Sequence, residues 1–351
     1  MKMNRMADRI LRAGVLALAL TGAAAAAHAQ SLTGAGATFP YPIYSKWFDV
    51  YKQKTGVEIN YQSIGSGAGI QQVKAGTVDF GASDAALSND RLKEMPRKVL
   101  HFPTVAGAVA LAYNLPEGTA ALKLTPDLIA GIYMGKITMW NDKAIAAVNP
   151  GVTLPGAPIL PVHRSDGSGT TNIFTTYLSA VSPQWKELVG ANTAVSWPSG
   201  VGAKGNEGVA GLVRQTPGAI GYVELAYAHQ NKFMVASVRN KSGAFVEPTL
   251  ASTTAAVAAS AASLAKDVRT PIANAAAADA YPIAGLTFLL VYQDMKDASR
   301  AKVLADFIAW ANHDGQELAE GLDYARLPDV VVKVNDASLK LLTAGGKKVM
   351  P

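Results

Sequence analysis

The chain has 351 residues, of which 49% are hydrophobic and 17% charged, and it contains no cysteine. Without cysteine, disulfide bonds, thiolate metal sites and lipid attachment through an N-terminal cysteine are excluded. The formal net charge of +6 comes without clustered basic residues or interleaved aromatic residues, which argues against a nucleic acid as the partner.

The first 29 residues have the pattern of an export signal. Four basic residues come first, namely Lys2, Arg5, Arg9 and Arg12. Residues 13–27 are apolar or small, and Ala27-His28-Ala29 is a small-x-small cleavage site. Cleavage after Ala29 would leave 322 residues with a net charge of +3, which is enough chain for two domains. We therefore expect an exported protein, in a bacterial periplasm or outside the cell, with an N-terminal membrane anchor as the alternative.

Strand and helix patterns alternate in the first third of the exported chain. The predicted elements are strand 32–33, helix 42–54, strand 57–61, helix 70–75 and strand 78–82. Gly56 and Gly76 follow the two helices, in the position where a glycine commonly ends a helix. This β-α-β-α-β order predicts a parallel sheet with right-handed crossovers.

Small and polar residues follow each of these strands. In parallel sheets ligands bind beyond the carboxyl ends of the strands, where this chain has Thr38, Ser66 and Asp84. Thr38 and Ser66 stand beside glycines at positions suited to N-caps, and Asp84 adds a carboxylate.

Residues 163–171 carry the densest polar motif of the chain. Arg164, Ser168 and Thr170 are spaced by Gly167 and Gly169 just ahead of a helical run. A helix start offers unpaired N–H groups and a positive dipole end, glycine lets the backbone approach closely, and arginine fits tetrahedral oxyanions. The motif predicts a site for phosphate or a similar oxyanion.

The remaining patterns predict a second lobe between two long apolar strands. The elements are strand 105–114, helix 126–134, helix 206–215, a turn and strand over 217–224, helix 251–279, strand 283–290 and helix 300–312. Alanine, the best helix former, fills residues 251–279 and favours a helix over a linker. With crossovers at 102–113 and 282–292, lobe I comprises 30–104 plus 283–351 and lobe II comprises 105–282. Two crossovers make a hinge suited to closure around a ligand.

Six motifs in order resemble the periplasmic phosphate-binding proteins of ABC-type phosphate transporters. They are LTGAGATFP at 32–40, SIGSGAG at 63–69, VDFGASD at 78–84, RSDGSGT at 164–170, KGNEG at 204–208 and PGAIGYVE at 217–224. The resemblance implies the α/β type II periplasmic binding-protein fold, in which each of two lobes is a mostly parallel sheet flanked by helices. It also implies one inorganic phosphate bound between the lobes, delivery to an inner-membrane permease complex, a monomer, no cofactor and no metal.

Carried over position by position, the resemblance implies a set of phosphate contacts. They are Thr38, Phe39, Ser66, Asp84, Arg164, Ser168, Gly169 and Thr170, with Asp166 orienting Arg164 by pairing with it. A carboxylate at Asp84 suits a ligand that carries a proton, because it can accept from P–OH but repels fully deprotonated sulfate. Asp84 is therefore expected to discriminate phosphate from sulfate.

Other interpretations of the same residues remain open. Thr38 and Ser66 would then only cap helices, Asp84 would only end a strand, and Arg164–Asp166 would be a surface pair. Residues 204–208 are favoured as a loop and helix cap over a contact, and His163 as a partly exposed structural residue. The alternative functions are a hydrolase with Ser168 as nucleophile and His163 or Asp166 as base, and a binding protein for another oxyanion. The G-x-S-x-G elbow is absent around Ser168, so we expect no enzyme.

Overall fold

Strands and helices alternate along the part of the chain that the structure describes, residues 31–117 and 119–350 of a computed structural model. The strands are β1 (Ser31–Gly36), β2 (Glu58–Ser63), β3 (Phe80–Ser83), β4 (Val99–Tyr113), β5 (Lys123–Leu124), β6 (Leu160–Arg164), β7 (Val201–Ala203), β8 (Ala219–Glu224), β9 (Met234–Val235), β10 (Ser237–Arg239), β11 (Phe245–Val246), β12 (Ala284–Tyr292), β13 (Asp294–Met295), β14 (Thr343–Ala344) and β15 (Lys347–Lys348). The predicted export signal and its cleavage after Ala29 lie outside the described residues.

Helices connect most of these strands. They are α1 (Tyr41–Thr55), α2 (Ser66–Ala75), α3 (Asn89–Lys93), α4 (Pro126–Tyr133), α5 (Lys143–Val148), α6 (Gly169–Val181), α7 (Pro183–Leu188), α8 (Gly205–Gln215), α9 (Leu225–Gln230), α10 (Leu250–Leu264), α11 (Ala298–Asn312) and α12 (Asp329–Leu339), with short 3-10 turns at Asp314–Leu318 and Glu320–Leu322. Among these helices, none is both long enough and apolar enough to cross a bilayer.

The main sheet has two parallel halves joined by two long central strands. Its strand order is β2-β1-β3-β12-β4-β8-β6-β7, and β9 also pairs with β4. β1 is parallel to β2 and β3, and β6 is parallel to β7 and β8, whereas β12 and β4 run antiparallel to their neighbours. The predicted β-α-β-α-β start of the chain is confirmed, because β1, β2 and β3 alternate with α1 and α2 in one parallel sheet.

β4 links the two halves of the sheet. Its residues 99–108 pair with β12, and residues 109–113 pair with β8. β4 begins at Val99, earlier than the predicted strand 105–114. Its pairing with β12 shifts register at Thr104 and makes a bulge beside Pro103, so the strand continues through the proline. A proline is tolerated in a strand at a bulge, where the ladder hydrogen bond is already missing.

The prediction of a helix over 251–279 is wrong in its second half. α10 begins after Thr249, whose side chain forms a capping box with Ser252, but it ends at Leu264. Beyond it, the Asn240 side-chain amide donates to the carbonyls of Ala277, Ala278 and Ala280, which replaces helical pairing there. Pro271 also lacks the N–H that a helix interior needs. Tertiary hydrogen bonds therefore outweigh the helix propensity of alanine.

Aromatic side chains fill the core on both sides of the central strands. Phe48 of α1 packs against Phe307 of α11, with ring centroids 5.5 Å apart. In the other half Tyr133 of α4 contacts Phe174 of α6 at 4.8 Å. These clusters hold α1 and α6 against the sheet, which fixes the loops that precede both helices.

Replacement of the α10 cap gives a test of this local structure. Thr249→Ala removes the acceptor for the Ser252 N–H, so the free energy of unfolding should fall by about 1 kcal/mol in urea titrations. Thr254→Ala is the matched control, because Thr254 is exposed and only donates back to the Leu250 carbonyl within the helix. Equal losses in both variants would contradict the capping role.

Candidate functional site

The residues predicted as a site lie together where the two halves of the main sheet meet. They come from the loops after β1 and β3, the start of α2, and the segment from β6 to α6, and hydrogen bonds connect these elements directly. All of them except the half-buried Asp166 are buried: Thr38, Phe39, Ser66, Asp84, Arg164, Ser168, Gly169 and Thr170. Nine residues far apart in sequence thus form one polar centre inside the protein.

Three tyrosine hydroxyls hold the loop between β1 and α1. Tyr61 donates to the Ala37 carbonyl at 2.7 Å, Tyr227 to that of Thr38 at 2.6 Å, and Tyr324 to that of Phe39 at 2.6 Å. Because a trans peptide places its C=O and N–H on opposite sides, the Phe39 N–H points away from Tyr227. The three carbonyl oxygens are therefore occupied, and since the Ala37 N–H donates to the Ala82 carbonyl, the Thr38 and Phe39 N–H groups are the backbone donors that this loop can offer.

Glu224 lies behind this loop as a buried carboxyl group. It has no exposed surface, and burial raises its pKa well above the ordinary value, which favours the neutral form. Its Oε2 lies 3.0 Å from the Tyr324 hydroxyl and accepts from the Ala226 N–H at 2.9 Å. Glu224 thus contacts the tyrosine that holds the Phe39 carbonyl.

The predicted N-cap roles of Thr38 and Ser66 are wrong. Pro40 and Gly65 occupy the cap positions of α1 and α2, without a side-chain cap. Instead the Ser66 hydroxyl accepts from the backbone N–H of Gly169 at 3.0 Å and of Asp84 at 3.3 Å. The Gly169 N–H is thus already used by Ser66 rather than left free for an anion.

Asn206 is a site residue that the sequence analysis missed. Its backbone N–H and its side-chain Nδ2 both donate to the Thr38 hydroxyl, at 3.1 and 2.7 Å, and Nδ2 also contacts Oγ1 of Thr170 at 3.2 Å. Its Oδ1 accepts from the Glu224 N–H, which fixes the orientation of the amide. Asn206 is thereby a supporting residue of the site, and whether residues 204–208 also contact a ligand remains a prediction.

The hydroxyls of the site are oriented by the bonds they accept. Thr38 accepts from Asn206, Ser66 from Gly169 and Asp84, and Ser168 from the Thr171 N–H at 3.0 Å. A hydroxyl whose oxygen accepts bonds from N–H groups still has its own hydrogen to donate. Three side chains are thereby available as donors toward one ligand.

Ser168 and Gly169 form the start of α6. Ser168 is the N-cap and Gly169 the first helical residue, so the positive end of the helix dipole lies at this centre. A Cβ on Gly169 would lie 2.5 Å from Cβ of Asp84 and 2.6 Å from its backbone nitrogen. Only glycine lets the helix start approach Asp84 this closely.

Arg164 and Asp166 form a buried ion pair rather than a surface pair. The guanidinium contacts both carboxylate oxygens, with Nε 2.7 Å from Oδ1, and the Arg164 side chain is 1% exposed. Burial alone would raise the pKa of Asp166, but the bonds and charge of Arg164 outweigh it and lower that pKa. Asp166 also accepts from the Gly205 N–H. Arg164 is therefore held in one orientation as a fixed positive group.

Asp84 is the second carboxylate of the site. Burial raises its pKa to about 7, and bonds from Thr287 and Thr170 together with the charge of Arg164 limit that rise. Thr287, on β12, donates to Oδ1 of Asp84 at 2.8 Å and was not predicted. Asp84 therefore changes its charge near neutral pH.

The two halves touch through bare backbone beside this centre. The Gly67 N–H donates to the Gly167 carbonyl at 2.7 Å, and a Cβ on Gly67 would lie 2.9 Å from Cα of Gly167. Any side chain at Gly67 would therefore force the two segments apart.

The residues proposed as a hydrolytic pair with Ser168 have other partners. The His163 ring stacks on Trp197, with centroids 4.8 Å apart, and its Nδ1 contacts the Arg164 carbonyl. Asp166 gives both oxygens to Arg164, and the Ser168 hydroxyl caps α6. Within residues 31–117 and 119–350, no group of three or more metal-ligating side chains comes together.

Comparison with known proteins places this chain in a family. Residues 21–314 match the family PBP_like_2, described as a PBP superfamily domain. The phosphate-binding protein PstS of Pasteurella multocida is 45% identical over 330 residues, which cover 94% of this chain and 95% of the relative. The phosphate-binding protein PstS of Xylella fastidiosa strain 9a5c is 47% identical over 307 residues, covering 87% and 84% of the two chains.

A solved structure supports the fold. The high-affinity periplasmic phosphate-binding protein PfluDING, bound with phosphate, superposes with a TM-score of 0.70 at 24% identity, over 88% of this chain and 93% of that one. The predicted two-lobed type II fold is thereby confirmed.

The charge of Asp84 should be visible in the stability of the protein measured without added ligand. An aspartate whose folded pKa is raised opposes folding at pH values above that pKa, and the cost disappears as pH falls from about 7 to about 4. Asp84→Asn removes this cost, so it should raise the free energy of unfolding at pH 8 by on the order of 2–4 kcal/mol and much less at pH 4.5. Asp90→Asn, at an exposed site, is the control and should change little at either pH. A gain for Asp84→Asn that does not depend on pH would contradict the assignment.

Proposed function

This chain belongs to the PBP superfamily and, within it, to the family of the phosphate-binding proteins PstS, and we propose that it captures inorganic phosphate and delivers it to an ABC-type phosphate permease. The observation that carries the proposal is the convergence of oriented donors and the Asp84 carboxylate on a single buried centre. Donors without a carboxylate would suit any oxyanion, whereas this combination suits one that carries a proton.

The donors of the site fit a tetrahedral anion. The proposed contacts are the hydroxyls of Thr38, Ser66 and Ser168, the Phe39 N–H and the Arg164 guanidinium, together with Gly169 and Thr170 at the helix start. The Gly169 N–H is shared with Ser66, and the hydroxyl and N–H of Thr170 are shared with Asp84. Bonds to a charged group contribute roughly 1.5–3 kcal/mol each, so several of them offset the cost of burying the anion. Arg164 is the one full positive charge among these contacts, and the other donors are neutral dipoles.

Asp84 gives the proposed site its selectivity. Phosphate near neutral pH retains at least one P–OH, which an ionised Asp84 accepts. Sulfate has no proton to offer and would place charge against charge in a buried site. The same argument disfavours binding of other fully deprotonated oxyanions.

The site lies between the proposed lobes, 30–104 plus 283–351 and 105–282. Support comes from β4, which changes its partner from β12 to β8 between residues 108 and 109, close to the proposed boundary. Thr38, Ser66 and Asp84 belong to one lobe, and Arg164 and α6 belong to the other. A hinge at β4 and β12 would let the lobes close on the ion.

The proposed setting is the periplasm. The export-signal pattern, the absence of cysteine and the family together support a protein released after Ala29 without a lipid anchor. The partner is the inner-membrane permease complex, and the protein is proposed to act as a monomer. The other partners of His163 and Asp166 disfavour the hydrolase alternative, and both of the relatives described are named as binding proteins.

Calorimetric titration at pH 8 tests the ligand directly. The full exported chain should bind one phosphate and bind sulfate far more weakly, because Asp84 is ionised above its pKa of about 7. Asp84→Asn should reduce the ratio of the phosphate and sulfate affinities at least about tenfold, because the repelling charge is gone. An unchanged ratio would remove the assigned role of Asp84. Steady hydrolysis of an aryl phosphate, abolished by Ser168→Ala, would instead support the hydrolase.

Substitutions of two basic residues distinguish a proposed ligand contact from a residue that only lies nearby. Arg164 is buried in the site, whereas Lys204 is exposed and its side chain does not cap α8. Arg164→Ala should weaken phosphate binding by at least about a hundredfold in calorimetry, and Lys204→Ala by less than about threefold. Arg164→Lys keeps the charge but loses the planar fork, so it should fall between them. The reverse order of Arg164→Ala and Lys204→Ala would move the site elsewhere.

A further inference from the structure

Thr287 is a buried hydroxyl that neither the motifs nor the proposed ligand contacts include. It lies in the apolar strand β12, with no exposed surface, and its Oγ1 is 2.8 Å from Oδ1 of Asp84. An ionised carboxylate only accepts hydrogen bonds, so the hydroxyl must be the donor. One oxygen of Asp84 is therefore occupied from the side of the central strands.

The bulge in β4 fixes the position of Thr287. Val105 pairs with Thr287 and Pro103 with Phe288, which leaves Thr104 as the extra residue. The Thr104 hydroxyl donates to the Thr287 carbonyl at 3.3 Å and lies 2.9 Å from the Tyr44 hydroxyl. The Tyr44 hydroxyl also bonds to the Thr287 side chain, so it contacts both threonines.

The carbonyl side of the bulge is also tied down. Nε2 of Gln316 donates to the Thr104 carbonyl at 2.9 Å and to the Ala311 carbonyl at 2.9 Å. A chain of bonds thus runs from α1 and the 3-10 turn through Thr104 and Thr287 to Asp84. These bonds within the fold set the position of the Thr287 hydroxyl.

We infer that Thr287 is a specificity-determining positioning residue, whose hydroxyl bonds to Oδ1 of Asp84 and thereby keeps that carboxylate an acceptor for a protonated oxyanion. Thr170 bonds to the same carboxylate from the start of α6. The inference rests on the proposed function and deepens it. Thr287 acts through Asp84 and is not itself a proposed contact of the ion. Without its bond, Asp84 would hold a proton more readily and could then donate to sulfate.

The charged and titratable groups facing Asp84 come from several elements. Arg164 of β6 faces it as a cation, and Arg269, which lines the same cavity, is paired with Asp267. The tyrosines that feel its charge are Tyr44, Tyr61 and Tyr324, and burial raises the pKa of each, so they stay neutral between pH 6 and 9. Among these groups, Asp84 is the one that changes charge over that range.

The test is a pair of pH profiles measured by calorimetry. Wild type, Thr287→Val and Thr287→Ser are titrated with phosphate and with sulfate from pH 6 to 9. In Thr287→Val, sulfate affinity at pH 9, where Asp84 of the wild type is ionised, should rise about tenfold while phosphate affinity changes little, so the ratio of the two affinities falls about tenfold. The pH profile of the ratio of phosphate to sulfate affinity should shift up by about one pH unit in Thr287→Val. Thr287→Ser should restore the wild-type profile.

The matched control is Thr253→Val, which removes an equally buried hydroxyl on α10, bonded to the Thr249 carbonyl. It should leave both affinities unchanged. If Thr287→Val does not fold, Thr287→Ala is used in its place, because it also removes the hydroxyl and adds no methyl group.

Equal weakening of phosphate and sulfate binding in Thr287→Val, or a pH profile that does not move, would overturn the inference and assign Thr287 a structural role only. A wild-type protein that does not bind phosphate would instead overturn the proposed function. The two failures are therefore distinguishable in one experiment.

Discussion

The buried carboxylate of Asp84 sets the requirements that the surrounding residues meet. A charge with so little exposure is tolerated only if hydrogen bonds and a positive group replace water, and Thr287, Thr170 and Arg164 fill those roles. Arg164 is buried as well and is held by Asp166. The glycine at position 169 follows from the same constraint, because a larger residue there would collide with Asp84. The need to stabilise one buried charge thus explains why residues from both halves of the sheet surround Asp84.

Around this charge the polar groups are arranged so that their donor ends remain available. Tyrosine hydroxyls occupy the carbonyls of residues 37–39, and backbone N–H groups or Asn206 occupy the acceptor positions of the site hydroxyls. Glu224 lies behind the loop in contact with Tyr324, and burial raises its pKa, which favours its neutral form. The supporting residues therefore leave mainly hydrogen-bond donors facing the site, which favours a negatively charged ligand. Most of them are not themselves proposed ligand contacts.

The sequence was informative where the signal is local. Strands ending in glycine-spaced polar residues indicated Thr38, Ser66 and Asp84, and the helix start after Arg164 was recognisable from its own residues. Asn206, Thr287 and Tyr324 were missed because their partners lie 168, 203 and 285 positions away in the chain. The end of α10 was missed for a similar reason, since Asn240 binds carbonyls far along the chain that propensity alone would make helical. Local chemistry was sufficient to place the site, but the residues that orient it depend on tertiary contacts.

The backbone contact between Gly67 and Gly167 has a consequence for kinetics. At this point the halves meet through one N–H···O bond and two bare α-carbons, so no side chain must leave a packed pocket when they separate. Little activation energy should therefore arise here from repacking. The residence time of a captured ion would then be governed by the bonds that the ion itself makes, which is useful for a carrier that has to hold its cargo firmly and still surrender it quickly.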